Sequence, residues 1–179
     1  MRLINLKIFA FILFFCFAGV FLPSNSFAAG SNEIFSNSGL KLPRFVSLSK
    51  NETNVRAGPG QKYPIKWVLN RKYLPVEVIL EYDNWRKIRD YEGQEGWVYR
   101  TLLSGKRTAI ILGDKNAEIY KKPFDVDDKN SRVIIKLEPL VNVFVEECKG
   151  RWCAIKVSGF FGWIERKSLW GVYEHENFN

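Results

Sequence analysis

The chain has 179 residues, with 27 Lys and Arg against 19 Asp and Glu, one histidine and three cysteines, for a net charge of +8. The single histidine, His175, sits near the C-terminus. It leaves no nucleophile an evident imidazole base and no metal its usual ligand set, so neither catalysis, nor a metal, nor a cofactor is expected. The charge excess is mild and interrupted. Arg71-Lys72, Arg86-Lys87 and Lys106-Arg107 are separated by acids such as Glu77, Glu81 and Asp83, the pattern of a solvated surface, with attraction to an anionic envelope polymer left open.

The chain opens with Arg2 and Lys7, followed by an unbroken apolar run from Ile8 to Leu22. A run of 15 residues is short for a bilayer span, which needs about 20. Pro23-Ser24-Asn25 breaks it, and Ser26-Phe27-Ala28 presents small residues where a signal peptidase reads them, so residues 1–28 are expected to be a signal peptide cleaved after Ala28. That predicts a periplasmic or secreted protein of charge +6, with no stable membrane anchor and no nucleic-acid partner. Cys16 leaves with the signal. Cys148 and Cys153 remain, the even count of one disulfide in an oxidising compartment, contributing about 2 kcal/mol for so short a loop. Residues 29–43, rich in Ser, Asn and Gly, read as a flexible leader.

From residue 44 onward the chain repeats itself. Gly96-Trp97-Val98-Tyr99-Arg100 through Gly105 lies over Gly162-Trp163-Ile164-Glu165-Arg166 through Gly171. Working backwards, Trp85 to Ile88 matches Trp152 to Ile155. Pro75 to Glu81 is set against Leu140 to Glu146, Val55 and Pro59 against Ile119 and Pro123, and Phe45 to Leu48 against Ala109 to Leu112. The offset drifts between 63 and 67 residues, as loop insertions would produce. Val76, Val78 and Leu80 alternate with Glu77, Ile79 and Glu81, the period of two that sends one set to a core and the other to solvent, and Val141, Val143 and Val145 repeat it. Asp83-Asn84 and Glu92-Gly93-Gln94 mark hairpin turns, and no window carries a helical apolar stripe. The fold class is therefore all-β: two tandem small barrels, residues 44–104 and 107–170, joined at Gly105-Lys106 and followed by a tail, 171–179.

The resemblance is carried by Leu42-Pro43-Arg44-Phe45-Val46-Ser47-Leu48, Asn54-Val55-Arg56-Ala57-Gly58-Pro59-Gly60, Tyr63-Pro64, Trp67-Val68, Pro75-Val76, Trp85-Arg86-Lys87-Ile88, Gly96-Trp97-Val98, Leu102-Leu103-Ser104-Gly105 and Arg107-Thr108. These residues resemble the bacterial SH3-like domain family, and within it tandem-domain exported proteins of the alphaproteobacterial type. The second copy keeps mainly the Trp and Gly-Trp signatures. The resemblance implies two SH3-like β-barrels, each of five or six strands, without enzymatic activity, and an association with cell-wall peptide.

Four residues are candidate ligand contacts: Trp85, Arg56, Tyr63 and Trp152. Alternation places Trp85 on the face opposite Ile88, and Trp152 on the face opposite Ile155; covering a barrel end or packing between domains is the equal alternative. Trp97 and Trp163 read as packing residues. Gly58 and Gly60 are expected to supply positive φ around Pro59. Tyr99 and Leu102 stand where a polyproline groove would use other residues, which points away from proline-rich ligands. The acidic stretch Asp125-Val126-Asp127-Asp128 lacks the turn glycine and twelfth-position glutamate of a calcium loop and reads as a solvated insertion. Cys148 and Cys153 are expected to staple a turn one residue longer than its counterpart in the first copy. The expected function is a non-catalytic exported binding or scaffolding protein that contacts cell-wall peptide or an envelope protein, chiefly through the first copy; the alternative is an accessory subunit of a cell-wall hydrolase.

Overall fold

The computed structural model describes residues 34–35, 38–124 and 132–179; the expected signal sequence and the acidic 125–128 stretch lie outside them. Two short strands, β1 (Ile34–Phe35) and β2 (Lys41–Leu42), pair antiparallel ahead of the first barrel. That barrel comprises β3 (Arg44–Leu48), β4 (Thr53–Arg56), β5 (Ile65–Leu69), β6 (Pro75–Tyr82), β7 (Trp85–Arg89), β8 (Glu95–Tyr99) and β9 (Leu103–Ser104). Its strands neighbour one another in the order β5-β4-β8-β7-β6-β3-β9. The second barrel follows with β10 (Thr108–Ile111), β11 (Ala117–Tyr120), β12 (Val133–Leu137), β13 (Asn142–Lys149), β14 (Trp152–Val157), β15 (Phe160–Glu165) and β16 (Leu169–Trp170). Its order, β12-β11-β15-β14-β13-β10-β16, is the same strand for strand. The two tandem SH3-like barrels expected from the sequence are thus present, and a 3-10 turn precedes the last strand of each.

Each barrel closes over one apolar cluster. Leu48, Val55, Val76, Val78, Ile88 and Val98 fill the first, and Ile111, Ile119, Val143, Val145, Ile155 and Ile164 occupy the same strand positions in the second. Closure depends on glycine at one crossing. A Cβ on Gly96 would overlap Val55 Cγ1, and one on Gly162 would lie 2.6 Å from Ile119 Cγ2 and 2.9 Å from the Tyr120 carbonyl. The Gly-Trp signature therefore records a close backbone approach, in which β4 or β11 crosses the sheet.

Cross-strand pairing corrects the expected superposition of the two copies. Val78 stands opposite Ile88 as Val145 stands opposite Ile155, so Val76 and Val78 correspond to Val143 and Val145, two residues away from the expected match. Likewise Leu48 pairs with Leu103 as Ile111 pairs with Leu169, a one-residue correction to the first strand. A shift of two leaves every side chain on its own face, so the period-two pattern alone cannot detect it. The alternation in β6 also breaks. A bulge at Ile79 turns Leu80 out to solvent, 46% exposed, and Glu81 inward, 9% exposed.

The corrected register changes the meaning of the disulfide. Cys148 and Cys153 are directly opposed on β13 and β14 and are bonded, and the pair in the same place on β6 and β7 is Glu81 and Arg86. Each hairpin has two turn residues, Asp83-Asn84 or Gly150-Arg151, with the first of each at positive φ. The expected longer turn in the second copy is therefore absent. In the first barrel Glu81 accepts from Arg86 Nε at 2.9 Å and is also bound by Arg44 and by the Ser38 hydroxyl at 3.0 Å. One barrel thus closes this hairpin with a buried ion pair and the other with a covalent bond.

The segments flanking the barrels are docked onto them. Within the expected leader, Leu42 is buried in the first cluster and Ser38 binds Glu81, because an apolar side chain and a backbone donor find partners there. At the other end, Phe178 exchanges main-chain hydrogen bonds with Cys148 at 2.9 and 3.2 Å, and Arg107 pairs with Glu176. Buried Arg166 donates to the carbonyls of Tyr173 and Glu176. The barrels also meet directly. Phe45 packs against Trp170 and Tyr173, Tyr73 against Phe144, and Ile110 of β10 completes the first barrel's cluster. Tyr173 donates its hydroxyl to Glu77 at 2.9 Å; burial, followed by the Glu77 charge, pushes that phenol far above its ordinary range.

Two variants test the hairpin equivalence. Glu81→Gln alone strands two arginines on a buried neutral partner and should lower stability by about 3 kcal/mol in urea unfolding. The double variant Glu81→Cys/Arg86→Cys should instead oxidise to a second intramolecular bridge, seen as no free thiols by mass spectrometry after alkylation.

Candidate functional site

The residues that could receive a ligand converge where β7 leaves its two-residue turn. Trp85 is the first residue of β7 and faces Tyr99 across the β7–β8 pair, the rings meeting edge-on with centroids 5.4 Å apart. Core-facing Arg86 and Ile88 alternate with outward-facing Trp85 and Lys87, so Trp85 is only partly buried. From the crossing strand, β4 delivers Arg56 and Asn54. Thr101 and Leu102 come from the 3-10 turn and Gln61 from the β4–β5 loop, completing a shallow pocket of about 210 Å³.

The β4–β5 loop is held in place by the site's own residues. Arg56 Nη1 donates to the carbonyls of Gln61 at 3.2 Å and Tyr63 at 2.8 Å. The Tyr63 ring lies flat on Gly58, where a Cβ would stand 2.6 Å from it. Neither Gly58 nor Gly60 adopts positive φ, contrary to expectation; what Gly58 contributes is room for the tyrosine. Tyr63 therefore shapes the loop, while Trp85 and Arg56 line the pocket together. Tyr99 and Leu102, noted in the sequence only as departures from a proline groove, form its other walls.

The same position in the second barrel is filled. Trp152 is 5% exposed. Phe124 packs on it with centroids 4.9 Å apart, Tyr120 meets both rings edge-on, and Trp152 Nε1 donates to the Phe124 carbonyl at 3.1 Å. Tyr120 stands where the first barrel has Arg56, since each pairs with the tryptophan of its Gly-Trp motif. Glu165 takes the place of Tyr99 and is pulled below the usual carboxylate range by a hydrogen bond from Lys167, with Arg151 adding to it. Trp152 is consequently a packing residue beneath the chain's own Phe124. Sequence reasoning missed Phe124 because 28 residues separate it from Trp152 and no periodicity links them.

A broader depression of about 770 Å³ lies between the 3-10 turn of the second barrel and the C-terminal segment, lined by Arg151, Glu165, Arg166, Lys167 and His175 among others. Its charges are largely spent on one another. Glu165 pairs with both Arg151 and Lys167, and Arg166 is committed to tail carbonyls. Among the described residues no group of three or more His, Cys, Asp and Glu side chains is placed to hold a metal ion, and no helix is long and apolar enough to cross a membrane.

Comparison with known proteins matches a family model described as the bacterial SH3 domain to residues 49–105 and again to 114–171. The transcription termination/antitermination protein NusG of Bacillus subtilis (strain 168) is 26% identical over 103 residues, covering 58% of this chain and 56% of that protein. Among solved structures, NlpC2 and NlpC1 from Trichomonas vaginalis overlay with TM-scores of 0.34 and 0.32 at 13% and 14% identity. They cover 75% and 78% of this chain and 50% of each of those chains. The chain thus spans about half the length of these relatives.

Gly58→Ala should displace Tyr63 and release the loop carbonyls that Arg56 holds. The expected result is a loss of about 1–3 kcal/mol in urea unfolding, the range for forcing a methyl into a filled site. Gly60→Ala, with its nearest ring atom at 3.4 Å, should be close to neutral in the same assay.

Proposed function

The chain belongs to the bacterial SH3 domain family, and on that premise we propose that it is a non-catalytic exported binding protein whose first barrel contacts cell-wall peptide or an envelope protein through the Trp85 pocket. One observation carries the reading. Of two duplicated grooves, the first presents its tryptophan half-open beside Arg56 and Tyr99, while the second is filled by the chain's own Phe124. A half-open aromatic with a cation and several amide or hydroxyl groups around it can offer a ligand an apolar face and polar partners side by side.

Two features support the exported setting: the signal-like N-terminus and the disulfide between buried cysteines. A positive protein is attracted to anionic envelope polymers, which raises the rate of encounter without specifying the ligand. The pocket then selects.

Retention of the purified protein on isolated peptidoglycan sacculi tests the first target. Trp85→Ala should reduce retention about tenfold, as for a central aromatic contact, while Trp152→Phe should leave it unchanged. Equal retention of wild type and Trp85→Ala would contradict the reading.

A further inference from the structure

The filled second groove shows what the open first groove is shaped to receive. The two sites share their backbone frame and their tryptophan, with Tyr120 and Glu165 in the second where Arg56 and Tyr99 stand in the first. Trp85 and Trp152 each begin the strand after a two-residue turn. The main-chain N–H of Arg100 donates to the Asn84 carbonyl as that of Arg166 donates to the Arg151 carbonyl. The crossing strand delivers Arg56 to one site and Tyr120 to the other. They differ also in the occupant. Over Trp152 sits Phe124, which supplies a ring to the indole face and a carbonyl to the indole N–H. Over Trp85 no described residue does either; Tyr99 meets its edge, and the pocket stays open.

The buried Trp152 indole N–H needs the acceptor it has, the Trp85 N–H is open to solvent and free to take one, and a half-buried indole face offers apolar area. The second barrel meets both needs with one residue, Phe124, which follows a bend at Lys121-Lys122 and then Pro123, and Pro123 keeps the preceding residue out of helical conformation. We infer that the first groove binds a peptide segment in the same way, with an aromatic side chain of the ligand packed on Trp85 and the main-chain carbonyl of that residue accepting the Trp85 indole hydrogen. This rests on the assignment of the Trp85 pocket as the binding site and adds the chemical class of the ligand: a peptide read through an aromatic residue. Phe124 is then an internal counterpart of that ligand.

The direct probe is the tetrapeptide acetyl-Lys-Lys-Pro-Phe-amide, the sequence of residues 121–124, titrated into the purified protein while the tryptophan indole resonances are followed by NMR. The Trp85 signal is assigned by its loss in Trp85→Phe. The expected result is a saturable shift of the Trp85 indole proton, no shift of the already bonded Trp152 indole, and no response to the peptide ending in alanine. Trp85→Phe, which keeps a ring but removes the donor, should weaken the peptide about five- to tenfold, the effect of one neutral hydrogen bond. Phe124→Ala should uncover a second equivalent of binding at Trp152; should that variant not fold, the Trp85 titration decides alone. A Trp85 resonance that does not move up to the solubility limit of the peptide would overturn the inference. Were sacculi still retained in a Trp85-dependent manner, the pocket assignment would stand and only the ligand class would fall; loss of both would overturn the pocket as well.

Discussion

The crossing at Gly96 and Gly162 is the constraint on which both barrels depend. Where β4 and β11 pass over the sheet there is space for a backbone and no side chain. That approach brings Val55 and Ile119 into the cores and registers Arg56 against Trp97 and Tyr120 against Trp163. The residue that borders each groove is therefore set by the same contact that closes the barrel. That residue is Arg in one barrel and Tyr in the other, so the groove border differs while the strand order stays the same.

The hairpin that carries each groove tryptophan shows a second such exchange. Glu81 with Arg86 and Cys148 with Cys153 perform the same task, holding β6 to β7 and β13 to β14 just before the turn. Burying a carboxylate and a guanidinium together carries a large desolvation cost, met here by Arg44 and Ser38 crowding the same carboxylate. The disulfide avoids that cost and needs an oxidising compartment. With Glu81 removed, the first barrel would also lose its hold on residue 38; with the bridge present, the second uses the main chain of Cys148 to dock Phe178. The two ends of the described chain are thus fastened to corresponding points of the two barrels.

Much of this architecture was legible in the sequence, because duplication doubles every signal. The Gly-Trp motifs, the tryptophans at 85 and 152 and the alternating valines fixed the fold class, and the even cysteine count anticipated the bridge. What stayed hidden were features invisible to period two. A slip of two residues between Pro75 and Leu140 preserves inside and outside, so only backbone pairing reveals that Val76 corresponds to Val143 and Glu81 to Cys148. The bulge at Ile79 interrupts the pattern with a residue that is itself apolar. At the site, Trp85 and Arg56 come together from strands 29 residues apart, whereas Tyr63 turns to its own loop. The difference between the two tryptophans arises from Phe124, a loop residue whose contact is wholly tertiary.

Of the two duplicated grooves, one is open and the other is filled by the chain itself. Hydrogen exchange at the two indole N–H groups measures this directly. The Trp85 proton, without a described partner, should exchange with solvent freely, and the Trp152 proton, bonded to the Phe124 carbonyl beneath two aromatic rings, should be strongly protected. Equal exchange at both indoles, fast or slow, would contradict the account.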